Sequence, residues 1–381
     1  IYFDNGEKLA FSPDESKMRE QLEGIEKGSS VRERDYVRKG YELYKVSYDK
    51  LIGRNFCSFF EVFNIRNALL LVKLKTYIGH MRYASRYFRN KHLQMAYTFQ
   101  NIYVGQNPFK SPALFSMIPA AELTEGSLFP VGGMYSIADR LMTIAGEHGV
   151  RFHFAKPVSS VMTHDRRATG VTFSDGTTEM ADIIVANADL PYVYRELLPE
   201  SRKSKRIDRM KYSCSAIVLH WGVDKRYPQL DQHNVFLAED FREGLDRIFN
   251  DKTIGEDPCF YIHAPAITDP TAAPEGCDAY SIEIGVGHID RKNPQDWDSI
   301  RDAARNAVLK KLKRLGMTDI EEHIRFEICT TPETWEEALN VTRGSIFGSL
   351  GHNVFQMGYF RQPNRDRRIR GVWRRPLVLA S

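Results

Sequence analysis

The chain has 381 residues, 42% of them hydrophobic, and 53 basic against 49 acidic side chains give a net charge of +4. This composition excludes a disordered chain, and charges so evenly balanced do not predict nucleic-acid binding. The length points to two or three domains, no run of apolar residues is long enough for a spanning helix, and the five scattered cysteines read as reduced thiols of an intracellular protein.

Residues 1–11, IYFDNGEKLAF, read as a strand, an Asn5-Gly6 turn and a second strand. An opening of this kind, without Met, reads as a piece of a longer protein. Residues 12–117 are mostly helical in pattern. Ser12, Pro13 and Glu15 take the N-cap, N1 and N3 places of a capping box, and Val37, Tyr41, Tyr44, Tyr48 and Leu51 keep one face. Residues 67–81, NALLLVKLKTYIGHM, are more apolar than a surface helix requires and are flanked by Arg66, Arg82 and Arg86. Two readings stay open there: a core helix, or a helix lying in a bilayer interface with its basic neighbours at the headgroups.

In FPVGGMYSIADRLM, residues 129–142, Pro130, Gly132 and Gly133 stand directly before an amphipathic helix. Its face is Met134, Ile137, Ala138, Leu141, Met142 and Ala145, and Gly149 is its stop. The period then changes to two through Val150, Phe152 and Phe154, with Asp175-Gly176 as a hairpin turn. Residues 183–186, IIVA, are fully apolar, as in a buried parallel strand. Residues 211–290 are rich in strands. A helix follows from Asn293 to Leu315, with Lys310, Lys311, Lys313 and Arg314 at its negative end. The strand HIRFEICT and a short helix led by Pro332 complete an α/β pattern.

No G-x-G-x-x-G, Walker, H-E-x-x-H or G-x-S-x-G motif occurs, and the eleven histidines have no metal-ligand spacing, so no metal is expected. A folded chain with no nucleophile or metal constellation is either an enzyme that relies on an organic cofactor or not an enzyme.

Five stretches taken in order carry a resemblance: AYTFQNIYVGQNPF at 96–109, FPVGG at 129–133, ADIIVANAD at 181–189, YIHAPAITDPTAAPEGC at 261–277 and GSLGHNVFQMGYFRQPNRD at 348–366. With them the chain resembles the phytoene desaturases of the bacterial and fungal type, FAD-dependent carotenoid dehydrogenases, from about residue 1 to about residue 369. The resemblance implies an α/β (α+β) fold: a three-layer FAD/NAD(P)-binding-type domain, here incomplete, a sheet-based substrate domain and a helical membrane-facing insertion. Residues 1–14 and 201–345 would form the substrate domain, 15–117 the lipid-facing helices, and 118–200 with 346–381 parts of the FAD domain.

For the cofactor, the resemblance places FAD against Pro130, Gly132 and Gly133, its adenine at the backbone of Val158, and further contacts at Asn187 and Ala188. Phe99, Gln100, Asn107, Phe109 and Phe129 become candidate lining for the substrate, a long hydrocarbon without polar groups. Glu122 becomes the candidate for managing the proton or the developing cation. His263 is open to two readings, a core histidine or a base. The implied setting is an intracellular protein at the membrane surface.

The chain departs from this pattern at both ends. The strand–GxGxxG–helix unit of the family would precede Ile1. Residues 367–381, RRIRGVWRRPLVLAS, replace the family's His-Pro-Gly-x-Gly turn and read as foreign to it, with seven arginines between 361 and 375. Other readings therefore stand beside phytoene desaturation: another carotenoid desaturase of the same family, and a cofactor-less fragment that only associates with lipid. A nucleic-acid reading would rest on the arginines alone.

Overall fold

The computed structural model describes residues 1–52, 64–348, 356, 364–366 and 368–374. Its strands are β1 (Val158–His164), β2 (Arg167–Phe173), β3 (Thr178–Met180), β4 (Ile184–Ala186), β5 (Ser215–Val223), β6 (His233–Phe236), β7 (Phe260–His263), β8 (Asp278–Val286), β9 (Ile324–Thr330) and β10 (Val372–Arg374). Two compact units form, the described residues of 1–128 with 214–331, and those of 129–213 with 332–374.

The first unit is built on an antiparallel sheet of order β6-β7-β8-β5-β9. Alternation gives it two different faces. Ile217, Leu219 and Trp221 of β5, Ile262 of β7, and Ile282 and Ile284 of β8 enter one core with Ala304, Val308 and Leu312 of the helix Trp297–Arg314. Each such aliphatic side chain contributes about 1.5–3 kcal/mol on burial. Asp296 caps that helix, its carboxylate accepting from the Ser299 N–H, and Lys311, Lys313 and Arg314 lie at the negative end, as the charge pattern predicts.

Ile1–Phe11 is less regular than the strand–turn–strand reading. Tyr2 makes single bridges to Lys8 and to Phe236. The capping-box reading also shifts. The N-cap of the helix Glu15–Ile25 is Asp14, whose carboxylate accepts from the N–H groups of Ser16 and Lys17, while the Ser12 hydroxyl oxygen accepts only from the Asp14 N–H. A carboxylate also matches the positive helix end, which a hydroxyl does not.

The helices of this unit enclose Tyr36, which packs on Tyr83, Tyr87, Phe88 and Tyr97. The apolar segment around 67–81 is not one helix. It runs Ile65–Lys73, turns where Lys75 adopts φ 52°, and resumes as His80–Ala84. None of Ile65–Lys73 is buried: Ile65, Leu69, Leu71 and Val72 all face out. Among the described residues this helix is not in the core.

The second unit carries the antiparallel sheet β1-β2-β3 and the parallel pair β10-β4. The hairpin turn falls at Asp175-Gly176. A small core joins Val161 and Ala168 to Val193, Tyr194, Leu197, Ile207 and Val372. Part of the arginine-rich tail is thus built into the fold, since Val372 pairs with Ile184 and Trp373 with Val185. The IIVA segment forms a parallel strand but is not buried, with Ile183 and Val185 both exposed. The helix Tyr135–Glu147 also has no buried residue, and Met134, Ile137 and Leu141 of its apolar face are exposed.

Candidate active site

In the first unit, Glu122 is held by a close helix crossing. Gly40, in the helix Ser29–Ser47, lies against the Ser116 carbonyl and Ala120, so near that an added Cβ would stand 2.6 Å from that oxygen and 2.7 Å from the Ala120 Cβ. The contact fixes the helix Met117–Glu125, which bears Glu122 near its end. Oε2 of Glu122 is closed off from solvent and has no hydrogen-bond partner among the described residues. Burial raises the Glu122 pKa above its ordinary value, and Gln100 opposes that rise.

A cluster of ionisable side chains shares this neighbourhood. Tyr261 and His263 alternate with buried Ile262 on β7, and Ser281 and Glu283 alternate with buried Ile282 on β8, so these four face away from the core helix. Tyr261 pairs in register with Glu283, and His263 with Ser281 and His233. The Tyr261 hydroxyl is 2.6 Å from Nδ1 of His233. The His233 and His263 rings stack with centroids 5.1 Å apart. Tyr103, from the turn of helix Phe99–Val104, joins the group: burial, then Glu122, Tyr261 and Glu283, push its phenol well above the ordinary range. Burial and His233 bring His263 down to about 4.

The other candidates of this unit are placed as follows. Phe99 is buried and meets Tyr103 edge-on at 5.5 Å. Gln100 is buried and donates from Nε2 to the Ala96 carbonyl, while its Oε1 has no partner among the described residues. Asn107 shapes a turn, its side-chain oxygen accepting from the Phe109 N–H and its carbonyl from the Ser111 hydroxyl. Phe109 carries the Arg242 guanidinium over its ring at 3.8 Å. Tyr103, Tyr261, His233 and Glu283 do not stand out in the sequence. For Tyr261, His233 and Glu283 the signal is a polar residue at alternate positions of largely apolar strands, whereas Tyr103, in the short helix Phe99–Val104, carries none.

Phe129 and all the cofactor candidates belong to the second unit. Gly133 closes a turn by donating its N–H to the Pro130 carbonyl, and Gly132 and Gly133 have φ of 84° and 81°. Left-handed φ is cheap only for glycine. A Cβ on Gly133 would meet no atom within 4 Å, and one on Gly132 only Ser136 Cβ at 3.9 Å. Neighbouring Val131 is exposed. The turn therefore offers a bare backbone surface, which fits a flat ring system such as a flavin. Asn187 and Ala188 are exposed just beyond the carboxyl end of β4, where α/β folds take ligands. Val158 opens β1, and its side chain packs on the small core, which leaves its backbone for any ligand contact. Most of the 348–366 motif lies outside the described residues, as does Cys57. Among the described residues no cluster of three metal-ligating side chains occurs.

Comparison with known proteins decides the family. The profile of the flavin containing amine oxidoreductases matches residues 70–327. The chain belongs to that family. Within the flavin containing amine oxidoreductases, it is 35% identical over 98% of its length to a zeta-carotene-forming phytoene desaturase of Myxococcus xanthus, of which it covers 72%. It is 34% identical over 96% of its length to a phytoene desaturase of Phycomyces blakesleeanus, of which it covers 64%. The chain thus spans about two thirds to three quarters of these relatives. A solved structure of wild-type putrescine oxidase bound to putrescine aligns with 98% of the chain and 74% of its own, at TM-score 0.56 and 12% identity, which shows a common fold. The cofactor of the family is a flavin, FAD in the phytoene desaturases.

Proposed function

We propose that this protein is an FAD-dependent oxidoreductase that introduces double bonds into a carotenoid hydrocarbon of the phytoene class. The observation that carries this reading is the similarity to phytoene desaturases over nearly the whole chain. Pro130, Gly132, Gly133, Val158, Asn187 and Ala188 would hold the cofactor. A bound flavin supplies the acceptor for a hydride.

The protein's own task is the remaining proton. Desaturation breaks two C–H bonds on adjacent carbons. One hydrogen leaves as hydride with its electron pair. The other leaves as a proton, and the electrons of that bond become the new π bond. The Glu122 carboxylate takes this proton in our reading. Its enclosed, partnerless Oε2 and raised pKa suit a base that holds a proton away from water. An apolar substrate offers nothing to hydrogen-bond, so Phe99 and Phe109 would position it by shape, with Gln100 and Asn107 shaping the wall.

Access to such a substrate runs through the membrane surface in this account. The helix Ile65–Lys73 presents Ile65, Leu69 and Val72 to the outside, with Arg66, Lys73 and Lys75 and no acidic residue between Asn64 and Tyr77. That combination suits an interfacial helix on a lipid surface. Among the described residues no helix is long and apolar enough to cross a membrane.

The test is product analysis. Flavin-loaded protein incubated with phytoene in liposomes should yield more conjugated carotenoids. A C30 analogue assayed in parallel separates phytoene from shorter substrates. Unchanged phytoene with turnover of the shorter chain would reassign the substrate, and no turnover of either would remove the desaturase reading.

A further inference from the structure

Residues 62–121 contain eight Lys or Arg and no Asp or Glu, in a chain with 53 basic and 49 acidic side chains overall. Beside the exposed helix Ile65–Lys73, part of this charge enters a hydrogen-bonded cluster. Leu74 is fully buried at the end of that helix, and the chain turns at Lys75 with φ 52°. Lys75 Nζ donates to the Tyr83 hydroxyl at 2.8 Å. The Tyr83 and Tyr87 hydroxyls are 3.0 Å apart, and Lys39 Nζ, from the helix Ser29–Ser47, donates to Tyr87 at 3.4 Å. The Lys75 ammonium also lies over the Tyr83 ring, 4.4 Å from its centroid.

This line is rich in donors and short of acceptors. An ammonium has three donors and no acceptor, and a phenol hydroxyl has one donor. Each hydroxyl oxygen already accepts from a lysine. Whichever way the Tyr83–Tyr87 bond runs, one hydroxyl hydrogen has no acceptor among the described residues. The charges show the same surplus. Asp35 is held by Lys39 at 2.5 Å and Arg38 at 2.6 Å, and Glu42 by Arg38 at 2.8 Å. Lys75, and Arg86 next to Tyr87 in the chain, have no carboxylate partner within ion-pair distance among the described residues. Burial, Lys39 and Arg86 hold the Lys75 ammonium below the ordinary lysine range, with Asp35 and Glu42 opposing, so an arriving anion would stabilise its charged form.

We propose that Lys75, Arg86 and the Tyr83–Tyr87 hydroxyl pair bind the phosphate of an anionic lipid headgroup when the helix Ile65–Lys73 meets the bilayer surface. This rests on the reading of that helix as interfacial. The lipid is favoured over a free phosphate because the cluster begins at Lys75, just past the exposed apolar helix, where headgroups border the acyl region. A choline headgroup carries its own cation, which the surplus positive charge repels, so anionic lipid is preferred.

The test is sedimentation of the whole chain with vesicles of phosphatidylcholine and with mixed phosphatidylcholine–phosphatidylglycerol vesicles. The wild type should bind the mixed vesicles more tightly. Lys75→Gln should weaken that binding about fivefold and leave binding to phosphatidylcholine nearly unchanged. Lys73→Gln, which removes an exposed charge of the helix itself, should cost less. Tyr87→Phe keeps every charge and should still weaken binding to the mixed vesicles about twofold to tenfold. Thermal melts report folding, and if Lys75→Gln melts low, Tyr87→Phe carries the test.

Equal losses in Lys73→Gln and Lys75→Gln, with Tyr87→Phe unchanged, would show diffuse attraction and overturn the site. Equal binding of the wild type to both vesicles overturns the anionic preference and leaves the interfacial helix standing. Binding to neither removes both. Inorganic phosphate at matched ionic strength should not release the wild type from mixed vesicles, and release to the level of Lys75→Gln would make the occupant a free phosphate and overturn the lipid assignment.

Discussion

Tyr261 and His233 are joined at 2.6 Å across neighbouring strands β7 and β6, on the sheet face opposite the core helix. That face, and not the core face, carries the ionisable groups near Glu122. The helix bearing Glu122 is set against the helix Ser29–Ser47 by the crossing at Gly40. Site chemistry and helix packing are therefore linked, and variants should separate them.

Glu122→Gln should move activity and stability in opposite directions. A carboxyl whose folded pKa is raised binds its proton more tightly when folded. Its contribution to stability is complete below the unfolded value, about 4.3, and is lost as pH rises through the folded value. The neutral amide escapes that loss, so the variant should melt at or above the wild type at pH 8. Its desaturation rate should fall by roughly 10²–10⁴. A variant that is less stable at pH 8 and fully active contradicts both assignments.

The buried His80 makes the helical part acid-sensitive. Its Nε2 is 2.7 Å from the Tyr36 hydroxyl and its Nδ1 2.6 Å from Oδ1 of Asn101. Burial pushes its pKa down to about 4, against the opposing pull of Asn101. A histidine depressed on folding gives stability that is full above about 6.5 and lost as pH falls through the folded value, up to about 3 kcal/mol. Chemical denaturation at pH 7 and pH 4.5 should show this loss. His80→Gln should be weaker at pH 7 and flatter with pH, and an equal slope in both proteins would count against the assignment.

Gly40→Ala tests the crossing. Alanine gains about 1 kcal/mol of helix propensity over glycine. Against this, its Cβ would stand 2.6 Å from a backbone carbonyl that cannot swing away. Overpacking of this sort costs about 1–3 kcal/mol. The contact should win, giving a lower melting temperature and reduced activity through displacement of Glu122. A more stable Gly40→Ala protein would show that the helices have room to part.

Gly133→Ala should leave the second unit folded, because its Cβ meets open space, with about 1–2 kcal/mol of strain from the left-handed backbone. Flavin retention on gel filtration should nevertheless fall, since the added methyl projects from the surface offered to the ring. Undiminished retention would place the flavin elsewhere.

Leu69→Ser with Val72→Ser removes two side chains that a lipid surface would bury, each worth about 1.5–3 kcal/mol. Vesicle sedimentation should show binding weakened by at least about tenfold. Unaltered binding would mean that another segment meets the bilayer.

Much of the fold is legible from residue order. The strands β5 to β9 and the helix Trp297–Arg314 follow directly from alternation and capping, because their burial is decided within one unit. The Pro130–Gly133 turn is legible because only glycine tolerates its φ values. The helix around 67–81 is shorter than its apolar run suggests, because Lys75 gives no sequence signal for a left-handed turn. Burial of Ile183–Ala186 is expected from apolarity, which records what a strand can bury, not what covers it. The Tyr261–His233 contact is hidden in the sequence because the two residues are distant along the chain, and only the register of β6 against β7 brings them together.

The most direct measurement is anaerobic mixing of flavin-loaded protein with phytoene in liposomes, following flavin absorbance and carotenoid products together. The account predicts loss of the oxidised flavin band in step with the rise of a conjugated polyene. A flavin that stays oxidised while phytoene is recovered unchanged would contradict it.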